Sequence, residues 1–361
     1  LQHLIISQNK HFYTKSPVMS LEHFSYEPVS YCQTHVTQRS LLENKPLPSF
    51  PAPSESVERS PTLKVAAVQL ETVPGEAEAF LDRIEESVVK AVYEHGANLI
   101  LLQELFQAPY FCQSQNAACF ALAERDVDAE NNVFIQRMQK LAKELKVVLP
   151  ISLFESKNNA YYNSVVMIDA DGTNLGTYRK THIPDGTGYQ EKFYFSPGDT
   201  GFKVFNTAVG CVGVGICWDQ WFPECARSMA LMGADIILYP TAIGSEPQDP
   251  TLNSADHWQR TMQGHAAANM VPVVASNRFG VEILLDAQGN EKQRIKFYGR
   301  SFITNESGAK VQEAKDGTDI ISQEIDIIEN RATRAAWGLF RDRRPELYNV
   351  LKTKDGQLQM N

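Results

Sequence analysis

The 361-residue sequence lacks the marks of a membrane-spanning or secreted chain. No apolar run approaches the ~20 residues that a bilayer requires, and no basic stretch followed by an apolar core and a small-residue cleavage site opens the chain. The 6 cysteines have neither CxxC spacing nor histidine partners at zinc intervals, so neither a disulfide framework nor a metal site is indicated. We therefore expect a cytoplasmic protein that uses no metal and no cofactor and is not embedded in a membrane.

Positive charge is also in short supply. The chain has 34 basic and 43 acidic residues and a net charge of −9. Because phosphate binding requires a basic surface, nucleic acid is not an expected partner, and a small cationic ligand is easier to accommodate. A hydrophobic content of 43% is sufficient for a large core.

Regular structure is not predicted near the start of the chain. Serines and prolines alternate there, and the prolines that break any helix or strand are Pro46, Pro48, Pro51, Pro53 and Pro61. We predict a Pro/Ser-rich arm over residues 1–61 and one domain over residues 62–361. Since the first residue is Leu1, Met19 is a candidate for the natural start.

A strand–helix–strand pattern begins at Leu63 and recurs later. The periodicity predicts the first unit over 63–70, 76–95 and 98–102, and the second over 212–216, a helix ending at Met232, and 233–239. The two units are either weak internal copies or buried strands that are similar by chance. Further helices are expected over 132–146 and 255–270, strands over 147–154, 161–168, 271–276, 297–304 and 319–327, and a hairpin turn near 287–290. This alternation predicts an α/β protein with mixed sheets.

The strand over 212–216 runs directly into Cys217. Gly213 and Gly215 are expected to let neighbouring backbone approach this strand, and Pro223 suits the first turn of the helix that follows. A free cysteine is usually a small buried hydrophobe, but a strand end before a helix is where α/β folds expose reactive groups. Because a helix N-terminus lowers the pKa of a thiol, Cys217 is also a candidate nucleophile.

A thiol nucleophile needs a base. Three histidines lie in plausible regions, so a Cys-His hydrolase is one hypothesis; these are His182, His257 and His265. A carboxylate is the other option, and Glu104 follows the predicted strand 98–102 beside apolar residues. Lys180 precedes a loop rich in turn residues and could stabilise a thiolate or an oxyanion, although isolated lysines are usually solvated.

Four segments together resemble the nitrilase, or carbon-nitrogen hydrolase, superfamily. They are Gln103-Glu104-Leu105-Phe106, Tyr178-Arg179-Lys180-Thr181-His182-Ile183-Pro184, Gly188-Tyr189-Gln190-Glu191-Lys192 and Gly215-Ile216-Cys217-Trp218-Asp219. The resemblance extends over residues 63–355. It implies a four-layer α-β-β-α sandwich with two mixed β-sheets, and a homo-oligomer.

The same resemblance implies roles for the matched residues. Glu104 would be the general base and Cys217 the nucleophile that forms a thioester. Lys180 and the backbone N–H of Trp218 would stabilise the oxyanion, and Glu191 would hydrogen-bond the site and position the substrate.

The resemblance is closest to family members that hydrolyse N-carbamoylputrescine to putrescine, ammonia and carbon dioxide, a step of polyamine biosynthesis. A cationic carbamoyl amine needs a carboxylate for its ammonium group, and Glu246 lies in an acidic segment without lysine or arginine. Tyr110 and Trp218 are candidate walls for a four-carbon chain. Alternatives are an aliphatic amidase, a hydrolase of N-carbamoyl-β-alanine, whose carboxylate would call for an arginine, and a catalytically silent scaffold.

Overall fold

The computed structural model describes residues 63–71, 77–286 and 288–357. Two β-sheets pack face to face, and helices cover the outer face of each sheet. The predicted four-layer α-β-β-α sandwich is therefore confirmed. The predicted arm over 1–61 lies outside the described residues.

The strands and helices take the following bounds, numbered in chain order. The strands are β1 Leu63–Gln69, β2 Leu99–Leu101, β3 Glu124–Arg125, β4 Leu149–Lys157, β5 Ala160–Ile168, β6 Asn174–Arg179, β7 Val204–Thr207, β8 Gly210–Val214, β9 Ile236–Thr241, β10 Val273–Asn277, β11 Phe279–Leu285, β12 Glu291–Tyr298, β13 Phe302–Thr304, β14 Lys310–Glu313 and β15 Asp319–Ile325. The helices are α1 Ala77–Tyr93, α2 Val133–Leu145, α3 Pro223–Leu231, α4 Ala255–Asn269 and α5 Ile327–Trp337.

The first sheet is built around β1. Its neighbours are the antiparallel β15 and the parallel β2. A parallel bridge from Leu99 to Val148 connects β2 to the antiparallel run β4-β5-β6, and β3 pairs with the far end of β4. This sheet is mixed, as predicted.

The second sheet has the order β14-β13-β10-β9-β8-β7. Its centre, β8-β9-β10, is parallel, and its outer pairs are antiparallel. A separate antiparallel hairpin, β11–β12, follows β10 directly. This hairpin is important for the site because Glu282 lies in β11 and Arg278 directly precedes it.

Strand β1 shows why its sequence is apolar without alternation. Val65 and Ala67 join the core between the sheets, whereas Ala66 and Val68 join the core beneath α1 and α2. A strand that is buried on both faces has no polar side to display. The second sheet is covered in the same way by α3 and α4.

Most predicted elements are confirmed to within a few residues, but 297–304 is not one strand. It divides into the end of β12 and the whole of β13, which belong to different sheets. The break lies at Gly299 and Arg300, whose φ angles of 62° and 53° are left-handed. A strand cannot continue through two such residues. Strands β3, β6, β7, β11 and β14 and helix α5 were not predicted.

Among the described residues, no helix is long and apolar enough to span a bilayer.

Candidate active site

Glu104 lies just beyond β2 and is completely buried. Its Oε1 accepts hydrogen bonds from Asn163 Nδ2 at 2.7 Å and from Lys180 Nζ at 2.8 Å. Its Oε2 is also buried and has no hydrogen-bond partner among the described residues. One oxygen is thus held in place while the other is available for proton transfer.

Lys180 follows β6, and its side chain has 0% exposure. Besides Glu104, its ammonium donates to Glu191 Oε2 at 2.7 Å. Burial opposes the positive charge, but Glu104 and Glu191 outweigh burial and hold the pKa of Lys180 well above its usual value. The ammonium is therefore charged at any physiological pH and lies between two carboxylates.

Glu191 forms a short 3₁₀ turn with the next two residues and is buried. Its Oε1 accepts a hydrogen bond of 2.7 Å from the hydroxyl of Tyr110. Burial raises the pKa of Glu191 to about 7, against the lowering effect of Lys180. The ring of Tyr110 is itself buried against Tyr189 and Phe297.

Cys217 begins a 3₁₀ turn, Cys217–Trp221, that directly follows the extended residue Ile216. Its φ of 42° is left-handed, a conformation that costs of order 1–3 kcal/mol for a residue other than glycine. The thiol is buried and lies 3.9 Å from the carbonyl oxygen of Ala242. The neighbouring carbonyl of Thr241 accepts the backbone N–H of Glu104 at 3.5 Å. Strand β9 therefore brings the thiol and the carboxylate together.

The prediction that a helix N-terminus lowers the pKa of the Cys217 thiol is wrong. Burial raises this pKa well above its usual value, and Glu104 raises it further, while Lys180 lowers it. The thiol is consequently protonated at neutral pH, and its proton must be removed as it attacks.

Asp219 couples the turn after β8 to the end of β6. Its carboxylate accepts hydrogen bonds from the backbone N–H of Ile216 at 2.9 Å, the hydroxyl of Tyr178 at 2.7 Å and the backbone N–H of His182 at 3.0 Å. Tyr178 and His182 flank Lys180 by two residues on each side. Asp219 thus fixes the position of the backbone next to Cys217 relative to the backbone next to Lys180.

Gly213 and Gly215, in and just after β8, were expected to allow close approach of neighbouring backbone, but the structure differs. A Cβ on Gly215 would lie 2.6 Å from the ring of Tyr239, and one on Gly213 would lie 3.0 Å from Met229 Sδ. The close neighbours are therefore side chains and not backbone.

The three candidate histidines are engaged elsewhere. His182 Nδ1 lies 2.7 Å from Asp219, and its ring stacks on Phe222 at 3.6 Å. His265 Nε2 lies 2.8 Å from the carbonyl of Gln220, and the ring of His257 lies 4.8 Å from that of Trp221. None of the hydrogen bonds seen in the described part of the chain joins a histidine to Cys217, so the Cys-His hypothesis has no geometric support.

The proposed substrate-binding residues differ in exposure. The side chain of Trp218 is partly exposed, and Glu246 is half-buried and accepts a hydrogen bond from Gln248 at 3.1 Å. Tyr189 lies against the segment that carries Glu246, because its hydroxyl donates to the carbonyl of Ser245 at 3.1 Å. Burial raises the pKa of Tyr189 well above its usual value, and the negative charge of Glu246 raises it further. Its hydroxyl accepts from the N–H of Gly244 at 3.0 Å.

Sequence reasoning missed several residues of the site. Asn163 could have been suspected, because an asparagine in the middle of an apolar strand is unusual. Asp219 lies within a recognised motif, but no local signal revealed its partners. Arg278 donates through Nη2 to the carbonyls of Glu104, Leu105 and Ala108, at 3.1, 2.7 and 2.8 Å, and no sequence pattern indicated it.

The arrangement supplies a thiol, a carboxylate oxygen free to accept a proton, and a permanent ammonium. The first N–H groups of the turn that starts at Cys217 have no acceptor within the turn, so that of Trp218 is available for an oxyanion. No group of three or more potential metal ligands occurs among the residues described. Such a site can carry out acyl transfer through a thiol.

Comparison with known proteins gives consistent results. A model of the carbon-nitrogen hydrolase family matches residues 64–335. An N-carbamoylputrescine amidase from Oryza sativa subsp. japonica is 55% identical over 82% of this chain and 96% of its own. A citrullinase from Francisella tularensis is 52% identical over 81% of this chain and 99% of its own. The crystal structure of a carbon-nitrogen hydrolase from Helicobacter pylori G27 has a TM-score of 0.74 and 38% identity, over 81% of this chain and 99% of that one.

Proposed function

The chain belongs to the carbon-nitrogen hydrolase family, and we propose that it hydrolyses N-carbamoylputrescine to putrescine, ammonia and carbon dioxide. The observation that carries this proposal is the buried ion pair of Lys180 with Glu104, at 2.8 Å, beside the thiol of Cys217. The relatives named for this activity cover most of the described chain.

The first chemical step is acylation of the thiol. As the sulfur of Cys217 attacks the ureido carbon, Oε2 of Glu104 takes the thiol proton, and the carbonyl π electrons move to the oxygen. Two nitrogens donate into a ureido carbonyl and make it a poor electrophile, so this oxyanion needs strong stabilisation. Lys180 and the N–H of Trp218 supply it. Collapse breaks the bond to the terminal nitrogen, which takes the proton from Glu104 and leaves as ammonia.

The second step hydrolyses the thioester-like intermediate. Glu104 accepts a proton from water as the water oxygen attacks the same carbon, and the carbon–sulfur bond breaks with return of that proton to the sulfur. The product is the carbamic acid of putrescine, which releases carbon dioxide without further help from the protein. We assign two roles to Glu191. It holds Lys180 by accepting a hydrogen bond of 2.7 Å from the lysine ammonium, and it thereby positions the substrate.

The ammonium end of the substrate is assigned to Glu246. Of the acidic residues in this segment, Asp249 is held by the N–H and hydroxyl of Thr251, and Asp256 pairs with Arg300 at 2.8 Å. Glu246 is half-buried, and no cation pairs with it among the described residues. We assign the rings of Trp218, which is exposed, and Tyr110, which is buried, to the walls around the four-carbon chain.

Citrulline is the second candidate substrate, because a citrullinase is 52% identical to this chain. Citrulline has the same ureido group on a chain that ends in both an ammonium and a carboxylate. Between Thr241 and Asp256 the sequence contains no lysine or arginine to bind that carboxylate. The same argument disfavours N-carbamoyl-β-alanine. A catalytically silent scaffold would not need to retain Glu104, Lys180 and Cys217.

We also propose a homo-oligomer in the cytoplasm. Large apolar side chains of α5 and the C-terminal segment are well exposed in the single chain, namely Ile328, Trp337, Leu347 and Leu351. Light scattering on the purified chain and on Ile328→Asp/Trp337→Asp would report the assembly, and an unchanged mass for the variant would exclude this surface. The five free cysteines of the described residues fit a reducing compartment.

Ammonia release measures the proposed function directly. The assay compares N-carbamoylputrescine, its shorter and longer homologues, citrulline and N-carbamoyl-β-alanine, with Cys217→Ala as the blank. We expect the highest kcat/KM for N-carbamoylputrescine. A higher value for citrulline would transfer the assignment to that substrate, and activity on none of them would refute it.

A further inference from the structure

A buried ion pair joins Arg278, at the start of the β11–β12 hairpin, to Glu282. Arg278 Nη1 lies 2.7 Å from Glu282 Oε1, and both side chains are 3% exposed. Neither residue belongs to the motifs by which the family was recognised. Such a pair is weak evidence for stability, because apolar residues of similar volume often replace buried ion pairs without loss. Its presence calls for another explanation.

The arginine fixes the loop that carries Glu104. Through Nη2 it donates to the carbonyl of Glu104 itself at 3.1 Å, and to those of Leu105 and Ala108 at 2.7 and 2.8 Å. Leu105 has a left-handed φ of 48°, which costs about 1–2 kcal/mol for a residue with a side chain. The guanidinium compensates for a strained backbone directly beside the proposed base.

Glu282 is connected through Tyr110 to Glu191, the second carboxylate that contacts Lys180. Glu282 Oε2 accepts the backbone N–H of Tyr110 at 2.5 Å, and the hydroxyl of Tyr110 donates to Glu191 Oε1 at 2.7 Å. Glu191 and Glu104 then both hold Lys180. These contacts form a closed ring. The Arg278–Glu282 pair is connected to the Lys180 ammonium through Glu104 on one side and through Tyr110 and Glu191 on the other.

We propose that the Arg278–Glu282 pair is a positioning element that sets the separation of Glu104 and Glu191 about Lys180. It acts through the backbone of Glu104 and through the backbone N–H of Tyr110. This inference rests on the proposed function for its kinetic consequences only, since the geometry of the cluster is independent of the substrate.

The test replaces both charges, with a second buried pair as the matched control. Arg278→Met/Glu282→Leu removes the positioning pair. Arg137→Met/Glu85→Leu removes a pair of comparable burial, with side-chain exposures of 6% and 0%, that joins α2 to α1 in the helix layer. Both doubles are compared with wild type in kcat and KM for N-carbamoylputrescine and in thermal unfolding.

We expect kcat of the Arg278/Glu282 double to fall roughly 10²-fold, because displacement of a catalytic group by about 1 Å has that effect. KM should change much less, and the control double should keep the wild-type kcat whatever its stability. Arg278→Lys should also lose kcat, since one ammonium cannot reach the carbonyls and Glu282 together. This single variant decides the matter if the double does not fold. Wild-type kcat in the Arg278 variants would overturn the proposal.

A second readout separates this proposal from the substrate assignment. Alkylation of Cys217 by iodoacetamide responds to the placement of Glu104, Lys180 and Glu191 around the thiol, because their charges shift its pKa. The Arg278/Glu282 double should change the pH profile of alkylation, and the control double should not. An unchanged profile would contradict the positioning role even if the wild-type chain proved inactive on N-carbamoylputrescine.

Discussion

Lys180 Nζ lies 2.8 Å from Glu104 Oε1, and neither side chain has any exposure to solvent. Removing one partner of such a pair leaves the other as an uncompensated buried charge. The same contact occupies one carboxylate oxygen and leaves Glu104 Oε2 without a partner among the described residues. A substitution that breaks this contact should therefore destabilise the fold and also disturb proton transfer at Glu104.

Replacing Lys180 with methionine should impair both properties. We expect the free energy of unfolding to fall by about 3–5 kcal/mol, the usual result of breaking a buried pair. The loss of an oxyanion donor should lower kcat at least ~10²-fold. Urea denaturation and steady-state kinetics measure the two effects. Lys140→Met is the control, because Lys140 forms an exposed pair with Glu144 and its loss should cost under about 0.5 kcal/mol.

The raised pKa of Cys217 predicts an unusual alkylation profile. Because the thiol is protonated at neutral pH, its rate of alkylation should still be rising at alkaline pH, past the usual thiol value of 9.0. Glu104→Gln removes a charge that raises this pKa and should move the alkylation profile to lower pH, while Lys180→Met should move it to higher pH. Mass spectrometry of the peptide that contains Cys217 follows the reaction. A plateau near neutrality in the wild-type protein would contradict the account.

Glu191 should make stability depend on pH. Burial raises its pKa from 4.5 to about 7 in the folded protein. Between these values the folded state holds a proton that the unfolded chain has released, so the contribution is complete below 4.5 and is lost as pH rises through about 7. Thermal unfolding of wild type and Glu191→Gln is compared at about pH 5 and about pH 8. Because glutamine does not titrate, the melting temperature of Glu191→Gln minus that of wild type should be higher at about pH 8 than at about pH 5. An equal difference at both pH values would show that Glu191 does not titrate in this window.

Glu246→Gln should discriminate between charged and neutral substrates. We expect KM for N-carbamoylputrescine to rise about tenfold or more, as a hydrogen bond to a charged group is worth about 1.5–3 kcal/mol, and KM for neutral N-butylurea to change little. Asp249→Asn is the control, since its carboxylate is exposed and held within its own turn by Thr251. Equal losses on both substrates would remove Glu246 from the ammonium site.

Packing beneath the nucleophile turn can be tested at Gly215. Because a Cβ there would lie 2.6 Å from the ring of Tyr239, Gly215→Ala should destabilise the protein by about 1–3 kcal/mol and lower kcat by displacing Cys217. Gly264→Ala is the matched control: Gly264 lies on exposed helix surface with nothing within 4 Å, and alanine there should stabilise by about 0.5–1 kcal/mol. Comparable stability of both variants would contradict the packing argument.

Periodicity predicted an α/β protein with mixed sheets, and the resemblance to the family implied its four layers and the residues that meet at Lys180. Periodicity identified the central strands, because strands such as β1 are buried on both faces and have unmistakable apolar runs. Glu104, Lys180, Glu191 and Cys217 were found together because their motifs are specific in combination. Their catalytic roles remain proposals.

Other features could not be predicted from local patterns. Arg278 contacts the carbonyl of Glu104 across 174 residues of chain, and Glu282 contacts Tyr110 across 172. The direction of the Cys217 pKa shift depended on burial and on Glu104, which the helix-dipole argument did not include. The division of 297–304 into two strands depended on the left-handed conformation of Arg300. Arginine rarely adopts this conformation, so the local sequence provided no reason to expect it.

The central claim is that Cys217 forms a covalent intermediate from N-carbamoylputrescine with loss of ammonia. Acid quenching during turnover, followed by mass spectrometry of the intact and digested protein, tests it most directly. We predict an adduct on Cys217 whose mass is that of the substrate less ammonia, which Cys217→Ala abolishes and Lys180→Met diminishes. An adduct on another residue, an adduct that has lost putrescine, or turnover by Cys217→Ala would contradict the account.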